Sequence, residues 1–469
     1  MTEFVTTEPF AYQGEDVRQI DDFEGRALIS GEMGVGKTLE ALLYCFDHPN
    51  LRPIIVVCPK SLKWNWVKEA RTHIGMKSVV LEGSKPSTGK LSSTTQLFII
   101  NYDILGGWLP LLVALKPQII IGDEIHFIKS RKAKRFKYFK ELCKGVPHIL
   151  AISGTPLVNR PAELWNIVNL LRPKIFKSWR IFADTYCDPT LTRWGIQYNG
   201  ATNLDQLHKI LVDNCLIRRL KKDILKDLPP KSRFVVPLPI ENPQEYRSAE
   251  KDFIKWLGKQ SKKKAKKAKK SVSLVKMGYL KRLAASLKIK SVFEWIDNFL
   301  EDTDEKLLLF CIHKSVLHAI YDRYKKKAVF IDGSVSGEDR QKAVDTFQKS
   351  KWCRLFIGNI QAAGIGITLT AASTVVFAEL DWTPGNMMQC EDRVHRIGQT
   401  SQKVQIFYLV AHRTIEEKLC EILQSKQKVL DATLDGSSDK IPSTLNVWDE
   451  LEIELRRTFF KPARAPRRL

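Results

Sequence analysis

The segment GEMGVGKT, Gly31–Thr38, constrains the fold more than any other part of the sequence, because it fits the phosphate-loop pattern G-x-x-x-x-G-K-[ST]. The apolar run Ala27–Ile29 precedes it and the helical run LEALLYCF follows it. A strand, a glycine-rich loop and a helix N-terminus in this order let backbone N–H groups surround phosphates, and the helix dipole favours the negative charge. The pattern predicts that loop glycines bind phosphate, a lysine neutralises the β- and γ-phosphates and a threonine hydroxyl holds Mg²⁺: Gly31, Gly34, Gly36, Lys37 and Thr38. A glycine-rich turn without a ligand is the alternative.

Two adjacent carboxylates, Asp123 and Glu124, end the apolar run PQIIIG. Acidic side chains at the end of a buried strand are costly unless they serve a cation or a reaction. Downstream of a phosphate loop, they indicate that Asp123 binds Mg²⁺ and that Glu124 orients or deprotonates the attacking water. By themselves they could simply begin a solvated loop. Together the two motifs predict a nucleoside triphosphatase.

Two stretches of the chain, from about residue 27 to 153 and from about 306 to 410, alternate short apolar runs with helical patterns. This alternation is typical of parallel sheets covered by helices, so we expect an α/β fold with two lobes. The proline-spaced segment Leu228–Pro243 marks the boundary between them. The expected domains are an N-terminal lobe with a helical insertion, a linker with a helical and lysine-rich insertion, a C-terminal lobe and a tail, at 1–235, 236–290, 291–435 and 436–469.

The run KKKAKKAKK, Lys262–Lys270, contains seven lysines and therefore cannot pack into a core. A solvated insertion, a patch that contacts phosphates and a nuclear-import signal all remain open for it.

The formal net charge of +23 favours a polyanionic partner, most commonly nucleic acid. The hydrophobic fraction of 44% and the charged fraction of 27% exclude a wholly disordered or fibrous chain. No apolar run approaches the roughly 18 residues of a membrane span, and the N-terminal sequence lacks a secretion signal. The nine cysteines form no C-x-x-C pair, so we expect reduced, mostly buried thiols rather than disulfides or a zinc site. These features predict an intracellular protein.

The segment QCEDRVHRIGQT, Gln389–Thr400, is rich in basic and amide side chains. If it is helical, Gln389, Arg393 and Arg396 lie at i, i+4 and i+7 and share one face. Arginines on such a face can stabilise the charge that develops at a γ-phosphate. A solvated basic helix face explains the spacing equally well.

Taken in chain order, these segments resemble the core of helicase superfamily two, and specifically its SWI/SNF-related DNA-translocase branch. The first half supplies the blocks PFAYQ, GEMGVGKT, VVCPKSLKWNW, NYD, DEIH, SGTPLVN and IRRLKKDIL. The second half supplies DGSVSGEDR, AAGIGITLTAAS and QCEDRVHRIGQT. RRLKKDIL and RVHRIGQ separate this branch from RNA helicases. The segment FAELDWTPGNMMQCEDRVHRIGQT is most like the annealing-helicase (fork-remodelling) group.

The resemblance implies two RecA-like lobes, with ATP and Mg²⁺ as cofactors. Gln13 would read the adenine through its amide, Gln389 would lie beside the nucleotide, and Arg393 and Arg396 would act as arginine fingers. The segment Ser153–Pro156 would couple hydrolysis to the grip on DNA. Loops at the carboxyl ends of strands would bind DNA phosphates without reading bases, through Lys60, Ser61, Asn159, Gly333, Ser334 and Gly364–Gly366.

Some side chains in these blocks invite other interpretations. Ile125 stands where the family usually has Ala or Ser, and we expect the larger side chain to be tolerated. Trp64 and Trp66 are expected to anchor a helix in the core rather than to stack on bases. His126 and His395 are expected to relay hydrogen bonds rather than to bind a metal.

The implied function is a DNA-dependent ATPase that translocates on duplex or forked DNA, with a monomer as a plausible state. Replication, repair or transcription proteins are candidate partners. The expected location is the nucleus for a eukaryotic or virus-encoded protein, and otherwise the cytoplasm or nucleoid. Three alternatives remain open: an RNA helicase of the same superfamily, a partner-directed remodeller of RNA polymerase or nucleosomes, and a non-catalytic DNA-binding scaffold.

Overall fold

The computed structural model describes most of the chain in two compact units. The described residues are 7–86, 95–154, 156, 160–192, 195–225, 227–251, 272–335, 337–363, 366–421 and 423. Within them, the first unit ends at Leu228 and the second begins at Pro229.

The first unit is built on a seven-stranded sheet in the order β3-β4-β2-β5-β6-β1-β9, in which all paired strands are parallel. Its central strands are buried along their whole length, which explains their nearly continuous apolar sequences. The strands are β1 (Arg26–Ile29), β2 (Ile54–Cys58), β3 (Ser78–Val80), β4 (Leu97–Asn101), β5 (Ile119–Asp123), β6 (His148–Ile152) and β9 (Leu216–Ile217).

Helices connect these strands. They are α1 (Ala11–Asp22), α2 (Lys37–Asp47), α3 (Lys63–Ile74), α4 (Leu105–Ala114), α5 (Lys134–Leu142) and α9 (Lys221–Ile224), with short 3₁₀ turns at Lys60–Leu62 and Ile125–Ile128. The predicted helical insertion lies between β6 and β9. It contains a 3₁₀ turn at Pro161–Glu163, α6 (Trp165–Leu171), α7 (Trp179–Tyr186), the antiparallel hairpin β7 (Thr190–Thr192) and β8 (Gly195–Gln197), and α8 (Leu204–Asn214).

The second unit has a six-stranded parallel sheet in the order β10-β15-β14-β11-β13-β12. Its strands are β10 (Lys231–Leu238), β11 (Leu307–Cys311), β12 (Ala328–Ile331), β13 (Leu355–Asn359), β14 (Thr374–Phe377) and β15 (Val404–Ala411). Its helices are α10 (Pro243–Lys251), α11 (Val272–Leu287), α12 (Ile289–Asp302), α13 (Lys314–Tyr324), α14 (Gly337–Lys349), α15 (Ile360–Ala363) and α16 (Pro384–Glu391). Each lobe is thus a parallel sheet flanked by helices, as the sequence predicts.

Alternate residues of each central strand in the second unit enter two different cores. Leu308 and Phe310 of β11 pack into one apolar cluster, whereas Leu307, Leu309 and Cys311 pack into another. This period of two places the clusters on opposite faces of the sheet. Helices α10 and α11 contribute to the first cluster and α12 to the second.

The boundary between the units lies earlier in the chain than the expected residue 235. The whole of β10 pairs in register with β15, from Lys231 opposite Val404 to Leu238 opposite Ala411. A paired strand belongs to its sheet, so residues 229–235 lie in the second unit. Part of the expected linker at 236–290 also belongs there, because Tyr246 and Leu280 are buried in its core. The lysine run and the C-terminal tail lie outside the described residues.

All nine cysteines are free. Eight of them are buried and Cys420 is partly exposed, in agreement with the predicted thiols.

Among the described helices, none is both long enough and apolar enough to cross a membrane.

Candidate nucleotide site and second-lobe arginines

The phosphate loop follows β1 and leads into α2, as the motif predicts. Gly34 and Gly36 have φ angles of 85° and 89°, in the left-handed region that side chains rarely adopt. A Cβ on Gly36 would also lie 2.4 Å from the Gln13 amide nitrogen. Glycine is therefore required at this loop position for both its backbone angle and its close packing.

The Lys37 ammonium is held by the loop itself. Its Nζ donates hydrogen bonds of 2.8 Å to the carbonyl oxygens of Gly31 and Glu32. Burial lowers the pKa of Lys37 to about 8, although Glu124, Glu40 and Asp123 nearby favour its charged form. Thr38 is the second residue of α2 and follows this lysine directly.

Asp123 is the last residue of β5, and both of its carboxylate oxygens are fixed. The Trp66 indole N–H donates to Oδ2 at 2.8 Å, and the backbone N–H of Glu124 donates to Oδ1 at 2.9 Å. The Tyr102 hydroxyl donates to the Asp123 carbonyl at 2.9 Å. Burial, with help from Glu124, raises the pKa of Asp123 to about 7. A nearby cation would favour its charged form, which suits a metal ligand.

Glu124 lies at the turn after β5, with a φ angle of 48°. Its Oε2 accepts a hydrogen bond of 3.2 Å from the Ser153 hydroxyl and lies 3.2 Å from His126 Nδ1. That histidine nitrogen is also 3.1 Å from Ser153 Oγ. The three side chains therefore connect the carboxyl ends of β5 and β6, and His126 has the hydrogen-bonding role that the sequence predicts.

The residue after Ser153 is also close to the phosphate loop. A Cβ on Gly154 would lie 3.3 Å from Lys37 Nζ and 2.7 Å from the Met33 side chain. In the predicted coupling segment, Ser153 thus bonds the acidic residue and Gly154 lies close to the loop lysine. Thr155 and Asn159 lie outside the described residues.

Gln13 is buried against the phosphate loop at the start of α1. Its Oε1 accepts the Phe10 N–H at 3.0 Å, and its Nε2 lies 3.5 Å from the Gly36 carbonyl. The neighbouring Tyr12 hydroxyl donates to the Val35 carbonyl at 2.6 Å. These contacts place the predicted adenine-reading amide next to the loop.

Two arginines to which the sequence assigned no role support the same loop. Arg218 donates to the Ser30 carbonyl at 2.6 Å and to the Gly154 carbonyl at 3.4 Å. The Arg219 carbonyl accepts the N–H of the loop residue Glu32 at 2.9 Å, and its guanidinium donates to Asp16 of α1 at 2.7 Å. The block IRRLKKDIL contains both residues, but their partners lie 64 to 203 positions away in the chain and local patterns do not reveal them.

In the second unit, the expected helical face of Gln389, Arg393 and Arg396 is not formed as a helix. Helix α16 ends at Glu391, so both arginines lie in the turns that follow it. The two guanidinium groups nevertheless converge, because both donate to the Ile367 carbonyl, at 3.1 and 3.5 Å. Arg393 also donates to the Gln389 carbonyl at 2.9 Å, which keeps the three residues together. The shared carbonyl, rather than helical spacing, brings them to one place.

The described candidates for DNA contact follow strand ends, as predicted. Lys60 and Ser61 are exposed in the 3₁₀ turn after β2, and Gly333 and Ser334 are exposed after β12. The Ser334 hydroxyl and N–H both donate to Asp332, which fixes this turn. Gly364 lies outside the described residues.

The tryptophan pair of α3 is split between core and surface. Trp66 is 1% exposed, as predicted, and bonds Asp123. The prediction for Trp64 is wrong, because its side chain is 65% exposed. Residues two positions apart on a helix point in directions that differ by about 200°. Because Trp66 is buried, Trp64 is therefore directed toward solvent.

Two known protein domains match this chain. The SNF2-related domain matches residues 21–289, more than half of the chain, and the helicase conserved C-terminal domain matches residues 288–398. The chain belongs to the SNF2-related family. The predicted family resemblance is therefore confirmed.

The relatives of this chain include members of two groups of proteins. The SWI/SNF-related matrix-associated actin-dependent regulator of chromatin subfamily A-like protein 1 of Xenopus tropicalis is 37% identical over 424 residues, covering 89% of this chain and 44% of the relative. The DNA annealing helicase and endonuclease ZRANB3 of Mus musculus is 34% identical over 439 residues, covering 90% of this chain and 40% of the relative. The chain therefore spans less than half the length of these relatives. Their names agree with the predicted likeness to the annealing-helicase group.

A solved structure, the Sulfolobus solfataricus SWI2/SNF2 ATPase core in complex with dsDNA, covers 97% of this chain at 23% identity, with a TM-score of 0.43.

Proposed function

We propose that this SNF2-related chain is a DNA-dependent ATPase that translocates on duplex or forked DNA, and that it remodels DNA structures in the manner of an annealing helicase. The observation that carries the proposal is the cluster of Lys37, Asp123 and Glu124 at one phosphate loop. The names of the relatives support the annealing and remodelling part. The same names support action within the nucleus of a eukaryotic cell, alongside replication, repair or transcription proteins, as a further part of the proposal.

The side chains of the first lobe fit ATP and Mg²⁺. Backbone N–H groups of the loop and the Lys37 ammonium would bind the phosphates, once the ammonium exchanges its two carbonyl partners for phosphate oxygens. The Thr38 hydroxyl and the Asp123 carboxylate are hard oxygen donors of the kind that Mg²⁺ prefers. Bound there, Mg²⁺ would neutralise charge on the β- and γ-phosphates. Gln13 would bind the adenine edge.

Glu124 is the group suited to act on the attacking water. Ser153 and His126 orient its carboxylate, which is the type of group that accepts a proton from an attacking water. From the second lobe, Arg393 and Arg396 would stabilise the transferring phosphoryl, with Gln389 beside the nucleotide. Ser153 bonds Glu124 and Gly154 lies close to Lys37, which makes this segment suitable for transmitting the state of the nucleotide to DNA-binding loops.

DNA would be gripped without sequence preference. Exposed Lys60, Ser61, Gly333 and Ser334 offer cationic, hydroxyl and backbone groups that bind phosphates. Asn159 and Gly364, which lie outside the described residues, are proposed as further DNA contacts from the sequence alone.

ATP hydrolysis measured with no nucleic acid, single-stranded DNA, duplex DNA, forked DNA and RNA tests the proposal. We expect stimulation by duplex or forked DNA, and its loss in Lys37→Ala and Glu124→Gln. Lys144→Ala and Glu141→Gln are matched controls, because this exposed pair lies on the surface of the same lobe and should leave hydrolysis unchanged. RNA-specific stimulation would indicate the RNA helicase alternative. Turnover that survives Lys37→Ala would refute the assigned site.

A further inference from the structure

The outer face of α3 combines an exposed aromatic ring with positive charge. Trp64, Lys68 and Arg71 lie at i, i+4 and i+7 on this helix, and Lys60 precedes Trp64 by one turn. All four side chains are exposed. We call these four residues the Trp64 face.

Nothing in the fold of the first lobe requires a tryptophan at position 64. The buried residues of α3 are Lys63, Trp66, Ala70 and Ile74, at i, i+3, i+7 and i+11. Among the described residues, Trp64 makes no ring contact, although a large aromatic side chain normally gains most of its stabilising energy from burial. What distinguishes Trp64 from other exposed apolar residues is its position among three cationic side chains, which together offer a ligand an aromatic surface and positive charge.

The charge on this face is uncompensated. Every exposed residue from Lys60 to Thr72 is basic or uncharged. The acidic residue Glu69 is only partly exposed and bonds His73 at 2.9 Å. Within the described part of the chain, no carboxylate pairs with Lys60, Lys68 or Arg71. The face therefore favours an anionic partner that also offers an aromatic surface.

We propose that the Trp64 face binds DNA at unpaired bases, with the indole stacked on a base and with Lys68 and Arg71 on the adjoining phosphates. Bases inside a duplex already stack on both sides, whereas single strands and fork junctions expose a base face. This inference rests on the proposed function and names the DNA feature that the first lobe would recognise. It extends the predicted phosphate contacts of Lys60 and Ser61 by about three helical turns, as far as Arg71.

Binding to three DNAs of equal length separates stacking from phosphate contact. Fluorescence anisotropy should be measured with a labelled single strand, a forked duplex and a fully paired duplex. For Trp64→Ala we expect roughly tenfold weaker binding to the single strand and the fork, and little change on paired duplex. Trp64→Phe should recover most of the loss, because phenylalanine keeps an aromatic face. Trp352→Ala is the matched control, since Trp352 is 53% exposed but lies in the second unit.

Substitution of Lys68 or Arg71 should change DNA affinity in a different way from substitution of Trp64. Lys68→Ala and Arg71→Ala are expected to weaken binding to all three DNAs and to lower the slope of log affinity against log salt by about 1 each. Thermal unfolding should be unchanged in all these surface variants, which excludes misfolding as the cause.

Two results would overturn the inference while leaving the proposed function intact. One is that Trp64→Ala binds all three DNAs as tightly as the wild type does. The Trp64 face would then be a surface for a protein partner rather than for DNA. The other is an equal loss on all three, which would make Trp64 a general contact and not a reader of unpaired bases. Absence of DNA binding and of DNA-stimulated hydrolysis in the wild type would overturn both proposals.

Discussion

Single side chains at a distance from the nucleotide motifs determine how those motifs are arranged. Trp66 is the clearest example, because its indole N–H fixes one oxygen of Asp123 from a helix 57 positions earlier in the chain. Gly122 is a second example: it lies under the Ile125 side chain, where a Cβ would meet Ile125 Cδ1 at 2.5 Å and Phe139 Cζ at 2.8 Å. The space that the glycine leaves explains why a bulky residue is tolerated at position 125.

Trp66→Phe should lower the affinity for Mg²⁺ while it has little effect on the free energy of unfolding. Phenylalanine keeps most of the packing but leaves one Asp123 oxygen without its donor. Loss of a group that orients a metal ligand typically costs about tenfold or more in metal affinity. We expect the Mg²⁺ concentration for half-maximal nucleotide binding to rise by about that factor. Trp108→Phe is the control, because this buried indole donates instead to the Gly83 carbonyl; an equal rise there would contradict the role of Trp66.

Gly122→Ala should destabilise the first unit by about 1–3 kcal/mol through overpacking. Adding Ile125→Ala removes one of the two close contacts and should recover part of that loss, while the contact with Phe139 remains. Urea unfolding of the single and double variants measures the coupling. Gly14→Ala, at a helical position with nothing within 4 Å of the added Cβ, is the control and should be neutral or slightly stabilising. If the changes in unfolding free energy of the two single variants simply add in the double variant, the proposed compensation is excluded.

At the scale of elements, charged contacts join segments whose sequences do not indicate that they meet. Strand β10 is attached to the end of α16 by Glu391, which is 1% exposed. The carboxylate lies 2.7 Å from Arg233 and 3.0 Å from Lys231, and it also accepts the Tyr408 hydroxyl. Burial alone would raise the pKa of Glu391, but the two cations more than offset it and the pKa is lowered. This pairing places β10 in the second sheet and holds the segment that precedes the arginines.

Glu391→Gln should therefore destabilise the second unit by about 2 kcal/mol near neutral pH, because it removes the buried charged acceptor that bonds Lys231 and Arg233. The lowered pKa means that the carboxylate stabilises the fold above its ordinary value of 4.5, and that this contribution disappears as the pH falls through the lowered value. The difference between wild type and variant should therefore shrink below about pH 4. Chemical denaturation at several pH values tests this, and a difference that is constant down to pH 3 would contradict it. Glu338→Gln, at an exposed site on α14, is the control.

At the scale of the whole molecule, the run Lys262–Lys270 supplies seven of the positive charges behind the net charge of +23. Removing Lys262–Lys270 would leave a formal charge of +16, which is +23 less the seven lysines. The exposed residues after β2 and β12 that we propose as phosphate contacts would remain.

Deletion of Lys262–Lys270 should accordingly preserve DNA-stimulated hydrolysis at low salt. Log affinity for DNA should fall linearly with log salt in both proteins, with a smaller slope in the deletion only if the run contacts phosphates. A replacement of the lysines by an equal length of Gly and Ser controls for the shortened connection. Complete loss of stimulation in both variants would show that the run, and not the strand-end loops, provides the main grip.

The sequence by itself determined the two parallel α/β layers, the phosphate loop, the two acidic residues and the family. These features depend on residues that are close together in the chain, and their spacing reports strand, turn and helix directly. Only the tertiary structure decided that Trp66 anchors Asp123 while Trp64 faces outward, that β10 joins the second sheet, and that two arginines beyond a helix end share the Ile367 carbonyl. Each of these outcomes depends on contacts between segments far apart in the chain, and local periodicity carries no information about which segments meet.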